Sequence, residues 1–211
     1  MAAFLHIENL SKRFGSQWVL KSINLSIQHR EKIAILGSNG SGKSTLLKIL
    51  AGFLYFDSGK VIWTKDAMII NSPDFVFSSP YIDLFEDLTV EEHIAFHYQH
   101  KPAYESLDCD SIIKLSNLEQ HRKKPIKQLS SGIKQRFKNS LALFSNSDVV
   151  FLDEPCSNMD AENISIYQDL VAKYTQSRTL IIASNYPSEY EFICTKKFRI
   201  ENCELQLVNS K

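Results

Sequence analysis

The sequence has no excess charge of either sign, few cysteines and no long apolar run, and each absence excludes a class of protein. Its 24 basic and 24 acidic residues leave a formal net charge of zero, so we expect no general attraction to nucleic acid or to an anionic membrane. No apolar run approaches the roughly 20 residues that span a bilayer. The four cysteines form no CxxC pair and are too few for a disulfide scaffold.

The remaining composition is ordinary for a soluble globular protein, with 44% hydrophobic and 23% charged residues. A chain of 211 residues can bury one good core. The first residues, Met1–His6, contain no basic region followed by an apolar core, so we expect no secretory signal. These features favour a cytoplasmic location, where any role at a membrane would need a partner.

The apolar pattern alternates between strand and helix periods along the chain and predicts an α/β fold with a mixed, largely parallel core sheet. The predicted strands are Phe4–Leu10, Ile23–Ile27, Lys32–Leu36, Val149–Leu152 and Thr179–Ala183, with a closing hairpin in Lys197–Val208. The predicted helices are Ser44–Ala51, Thr89–His100, Ser111–Leu118, Ser131–Phe144 and Glu162–Tyr174. We expect a core of about residues 1–71 and 145–211, with an antiparallel N-terminal part, and an inserted helical subdomain of about residues 72–144.

A glycine-rich segment follows the compact strand Lys32–Leu36 and precedes a helix. It matches the phosphate-binding pattern G-x-x-x-x-G-K-[ST], in which backbone N–H groups and a helix N-terminus surround phosphate oxygens. Lys43 should contact the β- and γ-phosphates of a nucleotide, and Ser44 should bind Mg²⁺. The residues predicted to hold the phosphates are Gly37, Ser38, Asn39, Gly40, Ser41, Gly42, Lys43, Ser44 and Thr45.

Two adjacent acids, Asp153 and Glu154, end a second apolar strand. The ends of strands in an open α/β sheet are where ligands bind. We expect Asp153 to hold the Mg²⁺ shell and Glu154 to polarise an attacking water. An acidic loop after a strand is common, but the phosphate-binding pattern upstream favours the catalytic interpretation.

A third motif, Leu129–Arg136, resembles the L-S-G-G-Q-x-Q-R signature of ATP-binding cassette (ABC) proteins. Phe14 falls where that family has an aromatic residue that stacks on adenine. Pro155–Asp160 resembles the D-loop that follows the catalytic glutamate, and Leu88–Glu92 resembles the start of the first helix of the helical subdomain. The order and spacing of these motifs cover essentially the whole chain.

The resemblance implies the ABC ATPase fold, with Mg²⁺ and ATP as cofactors, and a head-to-tail dimer that encloses two ATP molecules. Ser130, Ser131 and Gly132 of one subunit would then face the γ-phosphate held by Lys43 of the other. It also implies the energy subunit of a transporter, on the inner face of the cell membrane, that powers a separate membrane-spanning subunit. Compact single-cassette exporter subunits such as the haem-exporter ATPase are similar. The substrate and the direction of transport are not readable, because the substrate would contact the membrane partner.

Two positions depart from the family pattern. Where the family has a glutamine that reaches Mg²⁺, this chain has Ser79 or Pro80, and where it has a histidine that contacts the γ-phosphate, this chain has Asn185. Asparagine can donate a hydrogen bond but carries no positive charge. We therefore expect normal ATP binding and slow hydrolysis. A non-hydrolysing nucleotide switch and a soluble cassette without a membrane partner are the alternatives.

Two further features of the middle region have competing interpretations. His93, His97 and His100 share one face of a predicted helix, but no acidic or cysteine ligand accompanies them, which favours surface or groove histidines over a metal site. The apolar segment Tyr81–Leu88 corresponds to a region near the groove that receives a helix of the membrane subunit in this family. Ordinary packing of the helical lobe explains it equally well.

Overall fold

Ten strands and five α-helices follow one another along residues 4–208, the part of the chain that the computed structural model describes. The strands are β1 (Leu5–Phe14), β2 (Gln17–Ile27), β3 (Lys32–Leu36), β4 (Ser58–Lys65), β5 (Met68–Ile70), β6 (Phe75–Ser78), β7 (Val149–Asp153), β8 (Thr179–Ala183), β9 (Lys196–Glu201) and β10 (Glu204–Leu207). The helices are α1 (Lys43–Leu50), α2 (Val90–His100), α3 (Cys109–Leu115), α4 (Ser131–Leu143) and α5 (Ala161–Tyr174).

The strands form two sheets. An antiparallel sheet has the order β2–β1–β4–β5, and a six-stranded sheet has the order β10–β9–β3–β8–β7–β6. In the larger sheet every neighbouring pair is parallel except the closing hairpin β9–β10. The predicted fold class is therefore confirmed, including the antiparallel N-terminal part and the hairpin. Strands β4 and β5 had not been predicted.

The six-stranded sheet has an apolar core on each face. Because side chains alternate along a strand, Ile33 and Ile35 of β3 face the antiparallel sheet and α1, whereas Ala34 faces the other way. That second face packs against α2, α3, α4 and α5. Strands β3, β7 and β8 are buried on both sides, which explains their unbroken apolar sequences.

The region predicted to be a helical subdomain contains one strand of the core sheet. Phe75–Ser78 forms β6, which pairs with β7 in parallel register from Phe75–Val149 to Ser78–Leu152. Phe75–Phe77 is a continuous apolar run, which periodicity alone does not distinguish from part of a buried helix, so the sequence interpretation places it in the helical region. The division into core and helical subdomain remains a prediction, with β6 belonging to the core sheet. Residues 1–3 and 209–211 of the predicted ranges lie outside the described part.

The helix ends follow local sequence signals. Thr89 and Glu92 form the predicted capping box at the start of α2, where the Thr89 hydroxyl accepts a hydrogen bond from the Glu92 amide. Helix α3 begins two residues earlier than predicted, because the Asp108 carboxylate accepts from the Ser111 amide and caps it. Ser130 caps α4 in the same way. No helix within residues 4–208 is long and apolar enough to span a bilayer.

Candidate nucleotide-binding site

The glycine-rich loop joins the end of β3 to the start of α1, as predicted. Gly37 has a φ of +146°, and a Cβ there would lie 2.5 Å from the Ser41 hydroxyl oxygen and 2.7 Å from the Ile200 carbonyl oxygen. Gly42 precedes α1 with a φ of +107°. The tight turn therefore requires glycine at both positions, and it brings the loop backbone to the N-terminus of α1.

Lys43 lies in the first turn of α1 and is 4% exposed. Its Nζ atom donates hydrogen bonds to the carbonyl oxygens of Gly37, at 2.8 Å, and Ser38, at 3.1 Å. Burial lowers the pKa of Lys43, against the opposing effect of the Glu154 and Asp153 carboxylates. The ammonium group is thus held within the loop that is predicted to bind phosphates.

Asp153 and Ser44 meet at the carboxyl ends of β7 and β3. The Ser44 hydroxyl donates to Asp153 Oδ1 at 2.9 Å, and Asp153 is fully buried. Its Oδ2 atom is also buried and has no hydrogen-bond partner within residues 4–208. Burial raises the pKa of the Asp153 carboxyl. A serine hydroxyl beside an incompletely satisfied carboxylate is a donor set that suits Mg²⁺, so the two residues fit the predicted metal.

A cavity of about 230 Å³ brings the predicted catalytic and phosphate-binding residues together. It is lined by Asn39, Gly40, Gly42, Lys43, Ser44, Thr45, Tyr81 and Glu154. Glu154 has a φ of +46°, a left-handed conformation that is uncommon for residues other than glycine. The sequence interpretation places Tyr81 in the apolar segment near the partner groove, whereas the structure places it beside the phosphate loop.

Asn185 is hydrogen-bonded to the phosphate loop at two points. Its Oδ1 atom accepts from the Gly37 amide at 3.3 Å, and its Nδ2 atom donates to Asn39 Oδ1 at 3.1 Å. Pro80, at the other departure from the family pattern, has its carbonyl oxygen bound by Lys138 Nζ at 2.6 Å. Asn185 therefore contacts the phosphate loop directly, whereas the contact of Pro80 is with a lysine of α4 that does not line the cavity.

The signature residues lie outside the cavity. Ser130 caps α4, and Ser131 and Gly132 are its first two residues. Among residues 4–208, none of these three lines the cavity. Gly132 instead approaches the D-loop closely: a Cβ there would lie 2.6 Å from the Asn158 carbonyl oxygen. A single copy of the chain thus brings together the phosphate loop, Asp153 and Glu154, but not the signature.

Phe14 lies at the end of β1 and is 51% exposed, with Lys12 Nζ 5.2 Å from its ring centroid. A second cavity of about 440 Å³ adjoins the outer side of the phosphate loop, where it is lined by Gly37, Ser38, Gly40 and Ser41. The aromatic residue that lines this cavity is Trp18 of β2. The role of Phe14 in stacking on adenine stays a prediction.

A buried glutamate, Glu189, lies beside the turn that follows Glu154. Its Oε1 atom accepts a hydrogen bond from the Cys156 amide at 2.8 Å, and the residue is 1% exposed. Burial raises the pKa of Glu189 to about 7, and the carboxylates of Glu154 and Asp153 add to the rise. The folded chain therefore keeps this carboxyl protonated at a pH where an unfolded chain has released the proton.

We predict that Glu189→Gln makes the stability of the chain less sensitive to rising pH. Between the unfolded pKa of 4.5 and the folded pKa of about 7, the folded wild type binds the proton more tightly, so its free energy of unfolding falls as the pH rises. The loss is up to about 3 kcal/mol and is complete above the folded pKa. The free energy of unfolding in urea, measured at pH 5 and pH 8 without nucleotide, gives this loss.

The matched control is Glu191→Gln, an exposed glutamate two residues further along the chain. This variant should keep the pH dependence of the wild type. A Glu189→Gln variant with the same pH dependence as the wild type would contradict the assigned pKa.

Comparisons with known proteins agree with this arrangement. The family model described as ABC transporter matches residues 20–157. The chain is 37% identical over 177 residues to the spermidine/putrescine import ATP-binding protein PotA of Fusobacterium nucleatum, covering 79% of this chain and 47% of that protein. It is 29% identical over 198 residues to the lantibiotic transport ATP-binding protein SrtF of Streptococcus pyogenes, covering 90% of this chain and 83% of that protein.

The chain thus spans about half the length of some of the curated relatives it matches, such as PotA. A solved structure of a nucleotide-free ATP-binding cassette from an ABC transporter superposes with a TM-score of 0.80 at 19% identity, covering 99% of this chain and 92% of that one. At that identity the superposition establishes the fold. The family match includes the phosphate loop, the signature and the carboxylate turn, and on this evidence the chain belongs to the ABC transporter family.

Proposed function

We propose that this chain binds Mg²⁺ and ATP, hydrolyses ATP slowly, and works as a head-to-tail dimer that powers a separate membrane-spanning transporter subunit. The observation that carries the proposal is the cavity that joins Glu154 to the phosphate loop. Relatives named as ATP-binding proteins of import and lantibiotic transport systems support the transport role. The transported substrate differs among these relatives, so the proposal names none.

In the proposed reaction, backbone amides of the phosphate loop and the Lys43 ammonium hold the β- and γ-phosphates. Mg²⁺, when bound by Ser44 and Asp153, supplies positive charge against the phosphate oxygens. Glu154 accepts a proton from the attacking water while the water oxygen bonds to the γ-phosphorus. The bond from that phosphorus to the bridging oxygen breaks, which leaves ADP and inorganic phosphate.

The position of the signature supports the dimer. Ser130 is exposed, and it caps α4 on the surface of a single chain, away from its own cavity. A serine hydroxyl beside free N–H groups at a helix N-terminus is suited to an anion. A second copy, rotated by a two-fold axis, would bring this group to the γ-phosphate, so neither copy would have a complete site alone.

Glu154→Gln should abolish most of the ATP turnover and leave ATP binding intact. Glutamine is similar in size but cannot accept the proton, a role that contributes on the order of 10²–10⁴ to the rate. Steady-state phosphate release measures turnover, and equilibrium binding of a fluorescent ATP analogue measures affinity. Glu162→Gln, at an exposed position in the first turn of α5, is the control and should keep wild-type turnover. Unchanged turnover in Glu154→Gln would rule out Glu154 as the base.

Slow hydrolysis follows from the two departures near the γ-phosphate side of the site. Pro80 offers no side-chain donor or acceptor, and Ser79 is buried and short. Asn185 contacts the loop through a neutral amide. A missing transition-state donor costs roughly 10²–10³ in rate in other enzymes.

We predict that Asn185→His raises kcat about tenfold, because an imidazolium adds positive charge where negative charge develops. The Kd for ATP should change by less than about threefold, since Lys43 still holds the loop through the carbonyl oxygens of Gly37 and Ser38. Phosphate release across pH 6–9 measures the effect, and the gain should shrink as the pH rises through the range in which histidine loses its charge. Asn185→Gln is the control, because it keeps a neutral amide. A kcat for Asn185→His no higher than that of the wild type would contradict the prediction.

A groove of about 380 Å³ between the core sheet and the helical region supports a membrane partner. Its walls carry Phe53, Phe75, Phe77, Phe85 and Phe96, three of which are substantially exposed: Phe53 at 61%, Phe85 at 57% and Phe96 at 41%. His93 and His97 also line it, so these two histidines are groove residues. An exposed aromatic groove of this kind is suited to the apolar face of a helix.

We predict that Phe85→Asp releases the chain from its membrane partner, because it places a charge in the apolar groove. The chain is co-expressed with a neighbouring gene product that has several hydrophobic spans. Affinity purification of that product then measures the fraction of the chain that stays bound to it. We expect at least a tenfold loss, with the melting temperature close to that of the wild type since Phe85 is exposed. Ile69→Asp, at a 77%-exposed position of β5 outside the groove, is the control. Equal retention of both variants would argue against the groove as the docking surface.

A further inference from the structure

The peptide group between Pro155 and Cys156 begins one residue after Glu154, and buried side chains bind both of its polar atoms. The Pro155 carbonyl oxygen accepts a hydrogen bond from Asn139 Nδ2 at 2.7 Å. The Cys156 amide donates to Glu189 Oε1 at 2.8 Å. We call this arrangement of Asn139, Glu189 and the 155–156 peptide group the peptide clamp.

Both side chains of the peptide clamp are deeply buried, with Asn139 3% exposed and Glu189 1% exposed. Burying an amide or a carboxyl costs free energy unless a hydrogen bond compensates. Here the compensating bonds are made to one peptide group from opposite ends. That peptide group therefore has little freedom to rotate, and Glu154 directly precedes its proline.

Glu154 itself is in an unfavourable conformation. Its φ of +46° places it in the left-handed region, which costs of order 1–3 kcal/mol for a residue other than glycine. On its N-terminal side, the Glu154 amide donates to the Ala183 carbonyl oxygen at 2.9 Å. On its C-terminal side, the Glu154 carbonyl oxygen accepts from the Ser157 amide at 3.2 Å, and the peptide clamp fixes the next peptide group. These bonds on both sides restrict the direction of the Glu154 side chain, which lines the phosphate cavity.

The two side chains come from elements that carry other parts of the site. Asn139 lies on α4, whose N-terminus is capped by the signature serine Ser130. Its Oδ1 atom also accepts from the Ser78 hydroxyl at 2.7 Å, at the end of β6. Glu189 follows Asn185, which contacts the phosphate loop, by four residues. The peptide clamp thus links the turn that carries Glu154 to the signature helix and to the segment of Asn185.

We infer that Asn139 and Glu189 are positioning residues for hydrolysis: through the Pro155–Cys156 peptide group they hold Glu154 in its working orientation and couple it to the signature helix. The inference rests on the proposed role of Glu154 as the base. Nucleotide binding should not depend on the peptide clamp, because the phosphate loop is held by separate hydrogen bonds from Lys43 and Asn185. A misplacement of about 1 Å of a reacting group can cost on the order of 10² in rate.

The test compares substitutions that remove a bond of the peptide clamp with one that keeps it. Glu189→Met is similar in length and removes the acceptor, whereas Glu189→Gln keeps an oxygen that can accept from the Cys156 amide. Asn139→Leu removes the donor to Pro155. We expect Glu189→Met and Asn139→Leu each to lower kcat at least tenfold with the Kd for ATP within twofold of the wild type. Glu189→Gln should keep kcat within about threefold of the wild-type value.

A double variant separates a shared mechanism from two independent ones. If both side chains act through one peptide group, Asn139→Leu combined with Glu189→Met should lower kcat much less than the product of the two single effects. The control is Ser140→Ala, a fully buried residue of the same helix whose hydroxyl bonds the Arg136 carbonyl oxygen within α4. This variant should keep wild-type kcat. Circular dichroism and thermal melting identify any variant that fails to fold.

Three outcomes would overturn the inference: wild-type kcat in folded Glu189→Met, a loss in Glu189→Gln equal to that in Glu189→Met, or single effects that multiply in the double variant. If Asn139→Leu does not fold, the comparison of Glu189→Met with Glu189→Gln decides alone. Glu154→Gln is measured in parallel. If it hydrolyses ATP like the wild type, the proposed base is wrong. The inference about the peptide clamp, which depends on that base, is then wrong as well. If it is inactive while the Glu189 and Asn139 variants are not, only the peptide clamp is wrong.

Discussion

The hydrogen bond between the Ser44 hydroxyl and the Asp153 carboxylate joins the two strand ends on which the rest of the site depends. Strands β3 and β7 are not neighbours, because β8 lies between them in the sheet. Their carboxyl ends still meet at one edge, since all three strands run in parallel. A fully buried carboxylate needs a partner at this edge, and Ser44 provides it from the first turn of α1. This bond keeps the phosphate loop and the carboxylate turn at a fixed distance.

Left-handed backbone conformations occur on either side of that bond. Gly37 and Gly42 adopt conformations that favour glycine, and Glu154 adopts a left-handed conformation without being glycine. Such conformations persist where the surrounding structure fixes them. Near Gly37 the fixing bond comes from Asn185, and after Glu154 it comes from Asn139 and Glu189. Residues outside the recognised motifs thus determine the shape of the motifs.

The groups that would bind the nucleotide and the signature residues lie in different parts of the chain's surface. The groups that would bind Mg²⁺ and ATP are close together in one chain, whereas the signature lies elsewhere, outside the cavity. The accessory positions Pro80 and Asn185 have polar contacts of their own, with Lys138 and with the phosphate loop. The aromatic groove is separate from the phosphate loop and from the signature, because its lining includes residues of neither.

By itself, the sequence determined the fold class, the parallel direction of the core strands and the positions of the glycine-rich loop and of the acidic turn at Asp153. These depend on local patterns, namely apolar periodicity and glycine spacing, which a single chain segment contains in full. Only the tertiary structure decided that Phe75–Ser78 is a core strand, because a short apolar run does not distinguish a strand from a helix and the pairing partner lies over seventy residues away. It alone placed Trp18 and Tyr81 beside the loop and joined Asn139 to Glu189. Those contacts join residues that are far apart in the sequence, and no local sequence pattern encodes them.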